Sequence, residues 1–530
     1  MQYLIEIVSP HLPILPLLLP LVAGMVVLLV ANKGITWQRT ISLVATLSLF
    51  VMAVASFTFS LEGSIQIYAL GNWQAPFGIV MVLDQLSALM LVLVALLAVT
   101  ALWFAIRQNI DSQGAHFHPL FQVQLFGLNG AFLTGDLFNL FVFFEVLLLA
   151  SYGLLLHGGG RHKTKAGLHY VVLNLIGSTL FLFAVGTLYG ILGTLNIADM
   201  GQRITQLAIE DQGVVAVAGL MLLLVFGLKA AMFPLYLWLP HAYSHTTAPV
   251  AALFAIMTKV GLYAIIRVHG TLFGEQAGEL AGIHTPWVLG LGLITLIMAA
   301  MGALAAKFLR QQIAYLVLAS VATLLIASAL PGVESLAALL FYLIHSTFIA
   351  AGFFLLAYFI LQGRGQKTDQ LVRAYSMPNA ILIGSFFVFA AVAISGLPPL
   401  SGFFGKLLIL SSALEHPLFF GILAVVLISG LLMIIALAKS GSQIFYHILK
   451  KEADHSIRHC NTHDGTCQLS LAGIGSVVIL FSISVWLVVF AHPTHKTLNS
   501  VAQQTLDRTQ YQQQVLNFTP IANSRKELVE

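Results

Sequence analysis

The chain of 530 residues carries 24 Lys and Arg against 20 Asp and Glu, a net charge of +4, yet 59% of its residues are apolar and only 8% charged. Soluble chains average roughly 45–50% apolar and 25% charged, so this one has too little charge to cover a water-exposed surface. Two cysteines, no glycine period and no polar tracts further exclude a disulfide scaffold, collagen and disorder, leaving a polytopic membrane protein.

A bilayer-spanning helix needs about 20 mostly apolar residues. Fourteen such segments are predicted in chain order, at 10–31, 40–60, 80–106, 117–134, 136–157, 167–191, 213–239, 246–268, 286–306, 311–330, 335–362, 378–414, 417–447 and 470–491. The runs are continuous rather than alternating, which excludes a β-barrel. The first has no Lys or Arg ahead of it and no small-residue cleavage site, so it reads as a retained span rather than a cleaved signal. Between spans, 61–78 alternates and carries Gly and Pro, which predicts an external hairpin. Residues 195–212 are amphipathic and predict an interfacial segment. The Gln-rich tail, 494–530, reads as a surface helix or a disordered end.

The connections after odd-numbered spans hold fourteen basic residues: Lys33, Arg39, Arg107, Arg161, Lys163, Lys165, Lys307, Arg310, Arg364, Lys367, Arg373, Lys450, Lys451 and Arg458. The even connections hold only Arg203 and Arg267. The positive-inside rule then puts odd connections in the cytoplasm and both termini outside.

Four lysines fall inside predicted spans: Lys229, Lys259, Lys406 and Lys439. A carboxylate, Glu145, stands mid-span in FVFFEVLLLA. Each such group costs at least about 2.5–3.5 kcal/mol at a helix centre, so Glu145 with three lysines exceeds roughly 10 kcal/mol unless paired, hydrated or useful. Lys439 lies near the cytoplasmic end, where its stem can snorkel. For the others one reading is a static ion pair that orders the bundle, but one pair explains two charges and leaves two over. Pro234 in FGLKAAMFPLYLWLP deprives the Ala230 carbonyl of a donor beside Lys229, and Pro398 and Pro399 do the same to Ile394 and Ser395 ahead of Lys406. Broken helices at membrane depth are tolerated where protein or a wet cavity surrounds them, and interruptions in corresponding halves point to inverted-repeat transport. Burial favours a neutral amine and a nearby carboxylate a charged one. Glu145 and Lys229 therefore predict a proton switch that needs no cofactor, with Lys259 passing the proton onward and Lys406 as the matching station. His345, in FYLIHSTF beside Ser346 and Thr347, is a candidate relay. His241 and His245, after the break, are candidates for proton uptake.

The stretches 129–156, 226–267 and 395–410 resemble the antiporter-like subunits shared by respiratory complex I and Mrp-type multisubunit Na+/H+ antiporters, the first stretch being similar to the D-type component of the Mrp assemblies. The resemblance covers about 10–450. It implies two inverted five-helix repeats, dividing the chain at 1–115, 116–270, 271–450 and 451–530, and proton conduction by Glu145, Lys229, Lys259 and Lys406. It also implies a hetero-oligomer with other small hydrophobic membrane subunits, exchanging Na+ for protons in a bacterial inner membrane, and no nucleic-acid partner. Complex I relatives carry a lysine shortly after the histidine matching His345, where this chain has Ile349. Their tenth span carries an AYSS-like motif where this one reads AYLVLASVATLL. Both departures favour the antiporter over the competing class, the proton-pumping arm of an NADH:quinone oxidoreductase or hydrogenase. A third class, an inert scaffold, predicts that Glu145 and Lys229 are dispensable.

Weaker signals take ordinary readings. His455, His459, Cys460, His463, Asp464 and Cys467 match no closed zinc spacing, so no metal is expected, and a Cys460–Cys467 disulfide does not suit a cytoplasmic loop. LHGGGRHKTK lacks the phosphate-loop pattern and a preceding strand. Asp136 reads as the N-cap of the fifth span.

Overall fold

The computed structural model describes residues 9–375, 377–447 and 471–519. Each of the fourteen predicted segments coincides there with a helix or a broken pair of helices. In order they are α1 (Leu15–Leu29), α2 (Ile35–Ser60), α3 (Gln85–Arg107), α4 (Phe117–Leu133), α5 (Leu137–Leu156) and α6 (Arg161–Leu192). There follow α7 (Ile197–Ile204), α8 (Ile209–Lys229), α9 (Trp238–His245) and α10 (Ala248–Leu272). The later ones are α11 (Thr285–Ala305), α12 (Leu309–Ser328), α13 (Val333–Gly363), α14 (Ala380–Ser395), α15 (Ser401–Ser412), α16 (Phe419–Gly441) and α17 (Leu471–Val489). Among the described residues, 11 helices are long and apolar enough to cross a membrane; α1, α14 and α15 are shorter apolar helices.

α13 lies at the centre of the bundle, with every residue of its most apolar stretch buried. It packs against α12, α14, α15 and α17. Helices α2, α6 and α16 instead keep most of their apolar surface outward, as lipid-facing helices do.

The connections separate cleanly onto two ends. At one end the odd connections meet. Arg39 joins Asp111 at 2.6 Å and Asn109 at 2.8 Å, His157 Nε2 reaches the Ile110 carbonyl at 2.9 Å, and Arg310 pairs with Asp369 at 3.0 Å. Burial raises Asp111, but hydrogen bonds from His118 and Arg39 outweigh it and hold that carboxyl below the usual range. At the other end the even connections meet. The predicted hairpin is present as β1 (Gln66–Ala69) paired antiparallel with β2 (Val80–Leu83). It is bonded to the start of α5 by Gly135 N to the Val80 carbonyl at 2.9 Å. The predicted interfacial segment contains α7, and Leu137 N donates to the Leu195 carbonyl at 2.8 Å.

Of the two readings of the tail, the surface helix holds for α18 (Ala491–Leu506) and α19 (Arg508–Leu516), which strap across this even face. Gln504 accepts from Gln85 N and Gln514 from Ile65 N, while Tyr511 and Val515 close a small apolar cluster with Ile65, Ile67, Val80 and Val82. The histidine and cysteine positions 455–467 lie outside the described residues.

Three readings of the sequence are corrected. Arg267 is not a loop residue. It is buried on a π-turn at the end of α10, 2.5 Å from Asp84, the cap of α3, and its guanidinium lies over the rings of Tyr263 and Tyr511. The seventh span is broken as expected, but the break falls a few residues ahead of Pro234 rather than at it. α8 ends at Lys229, Ala231 takes a left-handed φ of 57°, and the Leu228 carbonyl at the break accepts the Trp238 indole N–H at 3.0 Å. The eighth span is not the unbroken helix expected, since its helical pattern lapses at Ala255 and Ile256, just ahead of Lys259.

Gly261 is what lets α10 approach the first break, because a Cβ there would lie 2.5 Å from Ala230 N. Gly261→Ala is therefore expected to destabilise the chain by about 1–3 kcal/mol through overpacking, read as a lower unfolding midpoint of the solubilised complex.

Candidate functional site

Glu145 lies on α5, two turns inside the helix that Asp136 caps by accepting from Asn139 N at 2.8 Å. Its Oε1 accepts a hydrogen bond from Ser178 Oγ on α6. One turn earlier on α6, Asn174 Oδ1 accepts from Lys229 Nζ at 3.1 Å, and its amide N donates back to the Tyr170 carbonyl at 2.8 Å. Ser178 Oγ is also 3.0 Å from the Asn174 carbonyl. Carboxylate and ammonium thus make no direct ion pair within 4.0 Å, and the predicted pairing is indirect: two polar side chains of one helix stand between them.

Lys229 is 8% exposed and lies 5.9 Å over the Phe144 ring. It lines a cavity of about 20 Å³ with Phe144, Tyr170, Asn174, Trp238 and Met257. One water needs only about 10–15 Å³ of such space, so the ammonium has room for one. The break explains the cluster. α8 ends at Lys229 with its last turn closed by Ala230 N on the Phe226 carbonyl and Met232 N on the Gly227 carbonyl, and the amine finds its oxygen across on α6 at Asn174 Oδ1.

Lys259, one span on, is completely buried, and neither its Nζ nor the neighbouring Thr258 hydroxyl has a protein hydrogen-bond partner. An uncompensated buried amine is expensive, so this position calls for water.

In the second half, Lys406 on α15 donates to the Ser395 carbonyl at 2.7 Å. That is one of the two oxygens that Pro398 and Pro399 are expected to free. Gly396, at φ +80°, lets the amine pass within 3.0 Å of where a Cβ would be. His345 Nδ1 lies 2.7 Å from Ser401 Oγ, itself 2.7 Å from Ser484 Oγ on α17. Ser346 and Thr347, expected to join His345, instead bond to the Leu343 carbonyl of their own helix. Ile349 is buried apolar surface. His241 and His245 stack with His162 at the odd end, His245 bonding to the His241 carbonyl at 2.8 Å, and neither bonds to Lys229. Lys439 is exposed on α16, as snorkelling requires.

The structure therefore joins Glu145 to Lys229 and places Lys406 and His345 around one helix break, while no hydrogen bond ties Lys259 to either group. Asn174, Ser178, Ser401 and Ser484 are not anticipated by the sequence reading.

A sequence model of the family described as NADH:quinone oxidoreductase/Mrp antiporter, transmembrane, matches residues 134–432, which contain both broken helices and all four candidate charges. The chain belongs to this family. Among curated relatives, the D component of a probable K+/H+ antiporter of Rhizobium meliloti is 38% identical over 97% of this chain and 99% of its own. The D component of a Na+/H+ antiporter of Alkalihalophilus pseudofirmus is 35% identical over 96% and 99%. Among solved structures, a chain of the Mrp complex from Dietzia sp. superposes with a TM-score of 0.83 at 26% identity, covering 96% of this chain and 99% of that one. A chain of respiratory complex I from Thermus thermophilus superposes at 0.74 over 93% and 99%, and at 22% identity that likeness extends to the fold alone. Within the NADH:quinone oxidoreductase/Mrp antiporter family, the resemblance seen in 129–156, 226–267 and 395–410 is thus borne out, and the chain is a multi-pass membrane protein.

Proposed function

We propose that this chain is the proton-translocating D-type component of a multisubunit monovalent cation/H+ antiporter, a transporter part rather than an enzyme, working among other small hydrophobic membrane subunits. The observation that carries the reading is that Glu145 accepts from Ser178 while Lys229 donates to Asn174 one turn away on the same helix, beside a water-sized cavity at a helix break. A base, an acid and a place for water within one largely buried cluster are what proton transfer needs. Relatives named as antiporter subunits, alike over nearly their whole length, support it.

On this reading the chain crosses a bacterial inner membrane fourteen times, with 116–270 and 271–450 as inverted five-helix units between 1–115 and 451–530. The basic odd face is cytoplasmic and both termini are external. Protons pass from the Glu145–Lys229 pair to Lys259 and on to Lys406 and His345, with His241 and His245 at the cytoplasmic mouth. Na+ is the cation exchanged by the assembly.

The test is cation-driven ΔpH in everted vesicles carrying the complete complex, with Na+ and K+ added separately. Lys229→Ala is expected to lower the cation-induced signal by about 100-fold or more while the complex still assembles. An undiminished signal from an assembled variant would refute the proposal.

A further inference from the structure

Beneath the tail, two histidines take no part in the machinery described above. His269 is fully buried on the π-turn of α10, its Nε2 3.0 Å from the Gly219 carbonyl of α8. His284, partly buried at the start of α11, brings its ring to 5.1 Å from that of His269, tilted by 47°. The Nδ1 atoms of both rings are buried and meet no hydrogen-bond partner in the protein. An unpaired buried polar atom costs about 1–3 kcal/mol, so two of them on neighbouring rings point to a shared guest, water and the proton it carries.

Their position gives that guest a route. His269 follows Lys259 by ten residues, about 15 Å along a helix toward the even face. Its ring meets Phe226 edge-on at 5.6 Å, and Phe226 packs against Phe144 at 6.1 Å and Phe181 at 5.7 Å. Phe144 is the ring beneath Lys229. Phe226 and Phe144, with Phe181 packed against both, thus link His269 to the Lys229 cavity, apolar packing of the kind that gates by wetting.

We propose that His269 and His284 form a water-linked proton site on the even face, supplying protons to Lys229 past Phe226. The inference rests on the proton-transfer reading of Glu145 and Lys229. With the even face outward, an exchanger driven by inward proton flow takes its protons from this side.

The charges around the pair are Arg267, held by Asp84; Arg508 of the tail, within reach of Glu275; and the Asp199–Arg203 pair on α7. Burial, and then the Arg508 guanidinium, push His284 down to about 4. A proton on His284 is therefore a brief passenger rather than a stored charge. Removing Arg508 takes away a positive charge and strengthens proton binding.

The experiment uses the whole complex in proteoliposomes, with odd-face pH fixed and even-face pH varied. His269→Gln and His284→Gln are each expected to slow exchange by about tenfold or more. Arg508→Gln is expected to move the half-maximal even-face pH upward and leave the odd-face dependence alone. Phe226→Ala is expected to raise the proton leak seen without added cation. The proposal is overturned if assembled His284→Gln, altered at the rim of the pair where folding is least at stake, exchanges within about twofold of the parent with an unshifted even-face profile. Glu145→Gln runs alongside. If it is inactive while the histidine variants are normal, only the histidine site fails; if it too is normal, the parent reading fails.

Discussion

Glu145→Gln is expected to reduce cation-driven proton exchange by about 100-fold or more while leaving the complex intact. Glutamine has the shape of glutamate and can still accept from Ser178 Oγ, so the contacts around α5 and α6 persist. What disappears is the charge, and the protonation of a buried amine responds to a charge nearby. Because Asn174 and Ser178 hold Glu145 and Lys229 apart, losing the carboxylate removes no salt bridge and leaves no broken contact to unfold the site. That separates this variant from an ordinary destabilising one. Glu145→Asp keeps the charge but withdraws it by one methylene from Ser178, and an intermediate rate is expected. ΔpH measured in vesicles, with subunit levels checked by immunoblot, decides the matter; wild-type exchange by Glu145→Gln would be incompatible with a proton switch here.

Arg267→Leu is expected to remove most of the mature chain from the membrane. Asp84 is 2% exposed, and its Oδ2 faces Arg267 while its Oδ1 caps α3 by accepting from Ser87 N at 2.8 Å. Deleting one member of a buried pair leaves the other uncompensated, at about 3–5 kcal/mol, against a typical total stability of about 5–15 kcal/mol. The guanidinium also lies against Tyr511, so its loss loosens the tail from the even face. Replacing both charges, as Asp84→Asn with Arg267→Met, keeps the α3 cap and removes the orphan charge. This double variant is expected to recover a large part of the lost chain. Normal levels of Arg267→Leu, or a double variant worse than the single one, would show that the pair is not the fastening described.

Much of this architecture is legible before any coordinates. Continuous apolar runs fix where the helices lie, prolines mark the interruptions of the seventh and twelfth spans but not the lapse in the eighth, and the imbalance of Lys and Arg sorts the connections into the two faces that are seen to meet. The charges are equally visible, because an isolated Glu145 or Lys229 in an apolar run has no cheap explanation. What joins them is less visible. Asn174 and Ser178 are four residues apart in VLNLIGSTL, so they share a helix face, and that spacing is an available signal from which the charges draw attention away. Ser484 gives no such signal, since a lone serine in a membrane helix usually bonds to its own backbone, as Ser346 does here. Arg267 misleads because a basic residue near a span end is normally solvated, and its partner Asp84 lies 183 positions away. Only packing reveals pairs of that kind.

The bridge between Glu145 and Lys229 is carried on one face of one helix, and no second element duplicates it among the described residues. Asn174 and Ser178 lie one turn apart on α6, so they move as a unit: a twist of α6 by a single residue, about 100°, turns both away from their partners together. Acid and base would then be uncoupled in one step, though neither had moved. α6 therefore has the geometry of a clutch, and anything that grips its lipid-facing surface acts on the engagement of the two charges rather than on the charges themselves.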